Sequence, residues 1–370
     1  MKRVLMLLSV FAVLAAGAFA GGGKDADSAA AAGDKPTVML VTDATGIDDK
    51  SFNAAAWRGI VAYYGDTVEN PAGRGTYYDT ITCQTQDMYI PTLKQVSDEG
   101  YDLILTTGFT FADALKEVSQ LYPDQNYMIV DVATVSQPNV MEFLFTEEQG
   151  SFLVGVLAAL QAQADGVADA KFGFIGGIPG ATITKFEMGY IQGIRHVLPD
   201  AEIVDYYTND WGKPDLAKAQ AKNWYDSGVY AIFSAAGGSG NGTIAQAKEY
   251  RIQGRNVWAI GVDSDQYEDG IYSGTDSAVL TSMVKRVEAS SLYALKAIET
   301  GTFKGGVVVL DMASDGVDFS TANPALSQDV IAQVQAVKKD IIDGKITVIG
   351  TYKDALAAGK VPAGLKAMDD

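Results

Sequence analysis

The 370-residue chain holds one cysteine, Cys83, and one histidine, His196. A single thiol rules out an intrachain disulfide, so a fold in an oxidising compartment must rest on a large core, with Cys83 simply packed into it. No cysteine follows the amino-terminal apolar run, where lipid attachment would need one; that stretch reads Gly21-Gly22-Gly23. The lone histidine sits in Gly193-Ile194-Arg195-His196-Val197 without metal-ligand spacing, which marks it as a surface residue on a helix flank. Basic residues are scarce as well, 28 against 46 acidic, for a net charge of −18. That balance disfavours nucleic acid, whose phosphates need clustered lysine and arginine. Beyond the amino terminus no run of about 18 apolar residues occurs, so the chain does not read as an integral membrane protein.

Catalytic fingerprints are missing too. The cluster Gly237-Gly238-Ser239-Gly240-Asn241-Gly242 has Asn241 where a nucleophile elbow needs glycine, and it matches neither a dinucleotide-binding fingerprint nor a phosphate loop. Its glycines suit a turn that brings backbone close to a ligand. The stretch Asp263 to Gly270 starts like a calcium loop but carries Tyr267 at a ligand position, so no metal and no cofactor is expected. A carboxylate at a strand end fits another task, accepting hydrogen bonds from two neighbouring sugar hydroxyls.

Lys2 and Arg3, the apolar run Val4 to Ala18 and the small residues of Ala18-Phe19-Ala20 predict a signal peptide, residues 1–20, cleaved after Ala20. Its loss leaves 26 basic groups against 46 acidic, a charge of −20. Residues 21–36 lack aromatic and large aliphatic side chains and read as a flexible linker. The remaining stretch of about 330 residues exceeds what one core usually holds, which predicts two lobes.

Short β-rich runs at Thr37–Val41, Leu103–Thr106, Tyr127–Val130, Phe172–Ile175, Ala231–Phe233 and Val257–Val262 alternate with helical stretches such as Ser151–Gln163 and Thr243–Tyr250. Apolar strands separated by helices predict an α/β fold with parallel sheets covered on both faces. Leu280 to Glu299 reads as one helix, Gly306–Leu310 as a strand, Leu326–Ile342 as a last helix and Ile346–Ile349 as a last strand. Asp43, Gly108, Asp131, Gly176-Gly177, Gly237-Gly238 and Asp263 each end a strand, and ligands of open α/β sheets bind there.

Several stretches together resemble the basic membrane protein family of ABC-transporter solute-binding proteins. They are Val41-Thr42-Asp43, Asp49 to Asn53 with Trp57 and Gly59, Phe145 to Gly150 before Gly155, Gly173 to Gly177, Phe186 to Tyr190 with Gly193, Ala235 to Gly238, Gly261-Val262-Asp263 and Ser282 to Lys285. The resemblance implies a type I periplasmic-binding fold, two Rossmann-like lobes joined by a three-stranded hinge. Lobe 1 is expected to comprise 37–145 and 266–302, and lobe 2 to comprise 146–265 and 303–370. The implied ligand is a purine nucleoside such as adenosine, guanosine or inosine, its base held between Phe52 and Phe186. Asp263 and Lys285 would address the ribose, Gly238 would permit close backbone approach, and Asp43, Asn53 and Asp131 would bond ligand edges. The protein is then expected to be an exported monomer, periplasmic or cell-surface associated, that delivers its ligand to an ABC permease.

Alternatives are a riboflavin receptor, a sensory receptor, or a nucleoside hydrolase using Asp263 and Asp265, the last disfavoured by the missing histidine acid and phosphate loop. Family members at the cell surface are often lipoproteins, whereas no anchoring cysteine follows the apolar run here, so a lipid tether is not expected. Its segment 66–87 is also longer and more aromatic than the family pattern, placing it either at the cleft rim or on the outer surface.

Overall fold

The structure, a computed structural model, describes residues 35–167 and 169–369. The predicted signal peptide, and all of the predicted linker except Lys35 and Pro36, lie outside the described residues. Those two residues pack on the fold: the Lys35 ammonium donates to the Tyr64 carbonyl at 2.9 Å, and Pro36 is buried.

Along the chain come β1 (Val38–Thr42), α1 (Phe52–Tyr63), β2 (Tyr78–Thr82), α2 (Tyr89–Glu99), β3 (Leu103–Thr107), α3 (Ala112–Leu121), β4 (Tyr127–Val130) and β5 (Val140–Phe145). A second series follows with α4 (Glu147–Ala164), β6 (Lys171–Gly176), α5 (Ala181–Val197), β7 (Ile203–Tyr207), α6 (Pro214–Asp226), β8 (Val229–Ala235), α7 (Asn241–Ile252) and β9 (Trp258–Asp263). A small hairpin, β10 (Ile271–Ser273) and β11 (Asp276–Ser277), leads to β12 (Val279–Lys285), α8 (Val287–Glu299), β13 (Gly306–Leu310), β14 (Val317–Phe319), α9 (Gln328–Ile342) and α10 (Tyr352–Ala357).

Two six-stranded sheets result, ordered β13-β5-β4-β3-β1-β2 and β14-β12-β9-β8-β6-β7. Every pairing in them is parallel except β12 with β14. Strands β1, β3, β4, β8 and β9 are buried along their whole length, which is why they read as apolar runs without alternation. The chain passes between sheets three times: from β5 into α4, from β12 into α8, and from β13 into β14.

The lobe boundaries drawn from sequence need correction. β12 lies in the second sheet and β13 in the first, so the later crossings fall at residue 286 and at 311–316 rather than after 265 and 302. The reason is long-range pairing: Ser282 stands opposite Gly261, and Val308 opposite Phe143. The single helix expected over Leu280–Glu299 is likewise a strand followed by a helix. β12 is buried on both faces, so its side chains show no period of two to separate them from the helix beyond. Ile346–Ile349 forms no strand; the Gln192 side chain takes the place of a neighbouring strand, donating to the Ile349 carbonyl at 2.7 Å and accepting from its N–H at 3.1 Å.

Segment 66–87 also finds its place. α1 starts at the carboxyl end of β1 and returns along it, so the 64–77 stretch between α1 and β2 lies at the strands' amino ends, opposite the cleft. There Tyr64, Tyr77, Tyr78 and Trp57 pack on one another beside Lys35. That part decorates the outer surface, whereas residues 83–87 follow β2 at its carboxyl end and are not among the residues lining the cleft.

In the second lobe α4 and α5 pack closely through Gly155, Gly189 and Gly193. A Cβ on any of them would stand 2.1–2.3 Å from a backbone oxygen of the facing helix. Gly193→Ala is expected to force the helices apart at a loss of about 1–3 kcal/mol. Thermal melting should fall by several degrees, and unchanged melting would show the seam to be slack.

Candidate ligand-binding cleft

The carboxyl ends of both sheets face one cleft, lined among others by Asp43, Phe52, Asn53, Asp131, Phe186, Asp263 and Lys285. It contains about 570 Å³ of space free of protein atoms, its open mouth included. Seven of the eight residues singled out from sequence therefore meet here. The eighth, Gly238, does not line it: a Cβ there would stand 3.2 Å from the Trp211 carbonyl oxygen, so it serves packing, while its neighbour Gly237, at φ +52°, reaches the cleft.

Each polar side chain is positioned by a short local device. Asp49 caps the first turn of α1 by accepting from the N–H groups of Ser51 (3.0 Å), Asn53 (2.8 Å) and Ala54 (2.9 Å). That fixes Asn53, whose amide donates to Asp43 at 3.1 Å and to Thr45 at 2.9 Å. Asp131 and Asp263 end β4 and β9 at φ +72° and +61°, a left-handed conformation that aspartate tolerates better than most residues and that turns its carboxylate away from the strand.

Lys285 closes the floor. Its side chain is 1% exposed, and its ammonium lies 2.5 Å from Asp131 of the first lobe and 3.0 Å from Glu147, the first residue of α4. The rings of Phe52, Phe145 and Phe186 surround it, with centroids at 5.0, 5.1 and 5.4 Å. Burial alone would lower the lysine, yet Asp131, Glu147 and Asp263 around it hold it above its ordinary value. Burial raises Asp131 to about 7 against the pull of Lys285. Glu147 is also buried, but it has two cations, Lys285 and Lys185, and stays below the usual range. Burial lifts Asp263 to about 6.

Three polar atoms of the lining are buried with no protein partner: Asn53 Oδ1, Thr107 Oγ1 and Asp263 Oδ1. Buried polar groups are normally bonded, so these are open positions for a ligand's donors. The other oxygen of Asp263 accepts from Ser51 at 2.8 Å, a bond that reaches across the cleft. Further contacts across it join Arg58 to Ser264 (2.7 Å), Lys50 to Asp269 (2.7 Å) and the Asp131 carbonyl to Thr182 (3.2 Å). The lobes are closed on one another.

Sequence reasoning missed Trp211 and Phe109, whose rings meet edge-on at 6.1 Å at the mouth. Trp211 lies on the turn after β7 and seats its ring on Gly177, where any side chain would collide with it. An aromatic residue in the turn Asn209-Asp210-Trp211-Gly212 was the available signal. Trp211 is half-buried, whereas Phe186 is 2% exposed and tilts against Phe233 at 6.2 Å. Asp265 is exposed, lies outside the lining and does not pair with Asp263 as a hydrolytic dyad would require. Among the described residues no set of three or more His, Cys, Asp and Glu is arranged to hold a metal, and no helix is long and apolar enough to cross a membrane.

Two α/β lobes, three crossing segments and a closed cleft at the strand ends define a type I solute-binding protein. Residues 35–351 match the family model described as ABC transporter substrate-binding protein PnrA-like. The chain belongs to that family, one of binding proteins rather than enzymes. It is 36% identical over 361 residues to the CD4+ T-cell-stimulating antigen of Listeria innocua, covering 94% of this chain and 99% of that protein. It is 32% identical over 359 residues to the ABC transporter nucleoside-binding protein BmpA of Lactococcus lactis, again covering 94% and 99%. A solved solute-binding protein of an ABC transporter system from Aeropyrum pernix superposes with a TM-score of 0.75 at 26% identity, covering 88% of this chain and 98% of that one.

Lys285→Met should leave Asp131 and Glu147 buried without their shared cation. We expect a loss of about 3–5 kcal/mol in urea unfolding at pH 7. The deficit should shrink toward pH 5 as the orphaned carboxylates take up protons; a constant deficit would mean the lysine acts by packing alone.

Proposed function

We propose that the protein is an exported receptor that closes on one purine nucleoside and presents it to the membrane subunits of an ABC importer. The observation that carries this reading is the set of open acceptors, Asn53 Oδ1 and Asp263 Oδ1 with Thr107 Oγ1, in a cleft that also presents aromatic faces. Purine bases and ribose supply matching N–H and O–H donors. The nucleoside-binding designation of the Lactococcus lactis relative supports the same ligand class. Export rests on the amino-terminal sequence pattern.

In this reading the base lies between Phe52 of the first lobe and Trp211 of the second, with Phe186 beneath as floor. Stacking on an aromatic ring contributes about 1–3 kcal/mol per base, and hydrogen bonds to charged groups about 1.5–3 each. Micromolar affinity requires about 8 kcal/mol, which two ring faces and the Asp263 and Asp43 contacts together supply. Asp263 takes the ribose hydroxyls, and Lys285 holds Asp131 in place beside them. Closure would be ligand-driven in the sense that the nucleoside binds the closed state far better than the open one.

The test is a melting screen of ligand-stripped protein against nucleosides, free bases, ribose and riboflavin, followed by calorimetry. A nucleoside at 100 times its dissociation constant should add about 2.7 kcal/mol of stability and raise the melting point by several degrees. Trp211→Ala and Phe52→Ala should each weaken binding by about tenfold or more, and Phe186→Ala by less than Trp211→Ala. Stabilisation by riboflavin alone would replace the nucleoside reading.

Binding should also depend on pH. Ribose hydroxyls donate to ionised Asp263, so ligand binding opposes its protonation. Affinity should be full at pH 7 and fall through about 6, by up to about tenfold per pH unit below that value. Asp263→Asn should bind weakly and flatten the profile; an unchanged profile would remove Asp263 from the ribose site.

A further inference from the structure

Ser51 stands immediately before α1, where a serine hydroxyl ordinarily caps the helix by accepting from a backbone N–H. Here it makes no such bond, because Asp49 has taken the task and accepts from the N–H groups of Ser51, Asn53 and Ala54. The hydroxyl is therefore free for another partner. Ser51 is nevertheless 0% exposed, and its remaining polar atoms meet the end of β9 in the second lobe. The hydroxyl lies 2.8 Å from Asp263 Oδ2 and 3.4 Å from the Val262 carbonyl; with one hydrogen to give, the short bond to the carboxylate prevails. The Ser51 carbonyl accepts from the Ser264 hydroxyl at 3.1 Å, and Ser264 accepts in turn from Arg58 at 2.7 Å.

Asp263 thus uses its two oxygens differently. Oδ2 belongs to the contact between lobes, whereas Oδ1 is buried in the cleft without a protein partner. Ser51 itself is not among the residues that line the cleft. We infer that Ser51 is a positioning residue that couples closure of the lobes to ligand capture: its hydroxyl takes hold of Asp263 Oδ2 only when the lobes meet, and so presents Oδ1 to the ligand. The inference deepens the receptor reading proposed above and rests on it for the ligand.

In the open state the two residues stand on separate lobes and water serves each of them. Closure removes that water, and without the hydroxyl one carboxylate oxygen would be buried unpaired, which is unfavourable. Ser51 therefore weights the equilibrium toward the closed state while touching no ligand. The same bond holds the carboxylate from one side, so the ligand meets an acceptor that is already ordered.

The test follows closure first without a ligand. Lys50 and Asp269 form an ion pair at 2.7 Å between the lobes, so a carbodiimide should join them as an amide only in closed molecules, and peptide mass spectrometry reads the rate. Ser51→Ala should slow this coupling about tenfold, the weight of one hydrogen bond to a charged group. In an Asp263→Gly background, where glycine accepts the left-handed backbone, the same substitution should change the rate little. Ligand-free melting of Ser51→Ala should be unchanged, since the hydroxyl caps nothing. Its affinity for inosine, adenosine or guanosine should fall about tenfold, through faster release. An unchanged coupling rate overturns the inference, and so does the same slowing with and without Asp263. Lower ligand-free melting with affinity preserved overturns it too, since Ser51 would then be an ordinary helix cap. Wild-type protein that ignores all three nucleosides overturns the proposed ligand instead, and the coupling rates still decide the role of Ser51.

Discussion

The cleft is organised around one buried lysine. Lys285 ends a strand of the second sheet, yet its ammonium is held by Asp131 of the first and by Glu147 at a crossing between them. A single charge thereby ties together both lobes and the hinge. Burying it without partners would be prohibitively unfavourable, and burying the two carboxylates without it would be equally so. The group can occupy this environment only when all its partners have arrived, which makes the ion cluster a test of correct assembly. The three phenyl rings around it exclude water and add their negative faces to the cation's surroundings.

Around this fixed floor the walls are provided by strand ends that do not continue as ordinary backbone. Two aspartates adopt left-handed conformations where β4 and β9 stop, and Trp211 rests on a glycine that admits no side chain. Such positions concentrate where a backbone is bent for a task other than stability. Among the described residues the open valences that remain are acceptors and one hydroxyl, and Lys285 is the one cation lining the cleft. A ligand rich in donors and free of strong negative charge is what this surface complements.

Much of this was legible in the sequence. The alternation of apolar runs and helical stretches declared the doubly wound architecture, and the residues closing strands gave Asp43, Asp131 and Asp263 of the cleft, while Phe52, Asn53, Phe186 and Lys285 came from the family resemblance. What escaped reading shares a physical cause: it depends on which distant strands pair. The strand that ends at Lys285 was read as the start of a helix because it is buried on both faces and lacks the usual alternation. Gly238 was taken from the family resemblance, whereas its neighbour Gly237 is the one that reaches the cleft. Trp211 went unnoticed because the strand before its turn, β7, is half-exposed and mixed in character.

The aromatic stretch between α1 and β2 sits on the far pole from the cleft, beside the point where the described chain begins. It touches no lining residue of the binding site, and its tyrosines pack on one another and on α1. The molecule is thus divided into a chemically constrained face and a face open to drift. Changes of length and composition at that pole can alter how the receptor appears to its surroundings while the ligand experiences none of them, so the two faces are free to evolve under separate pressures.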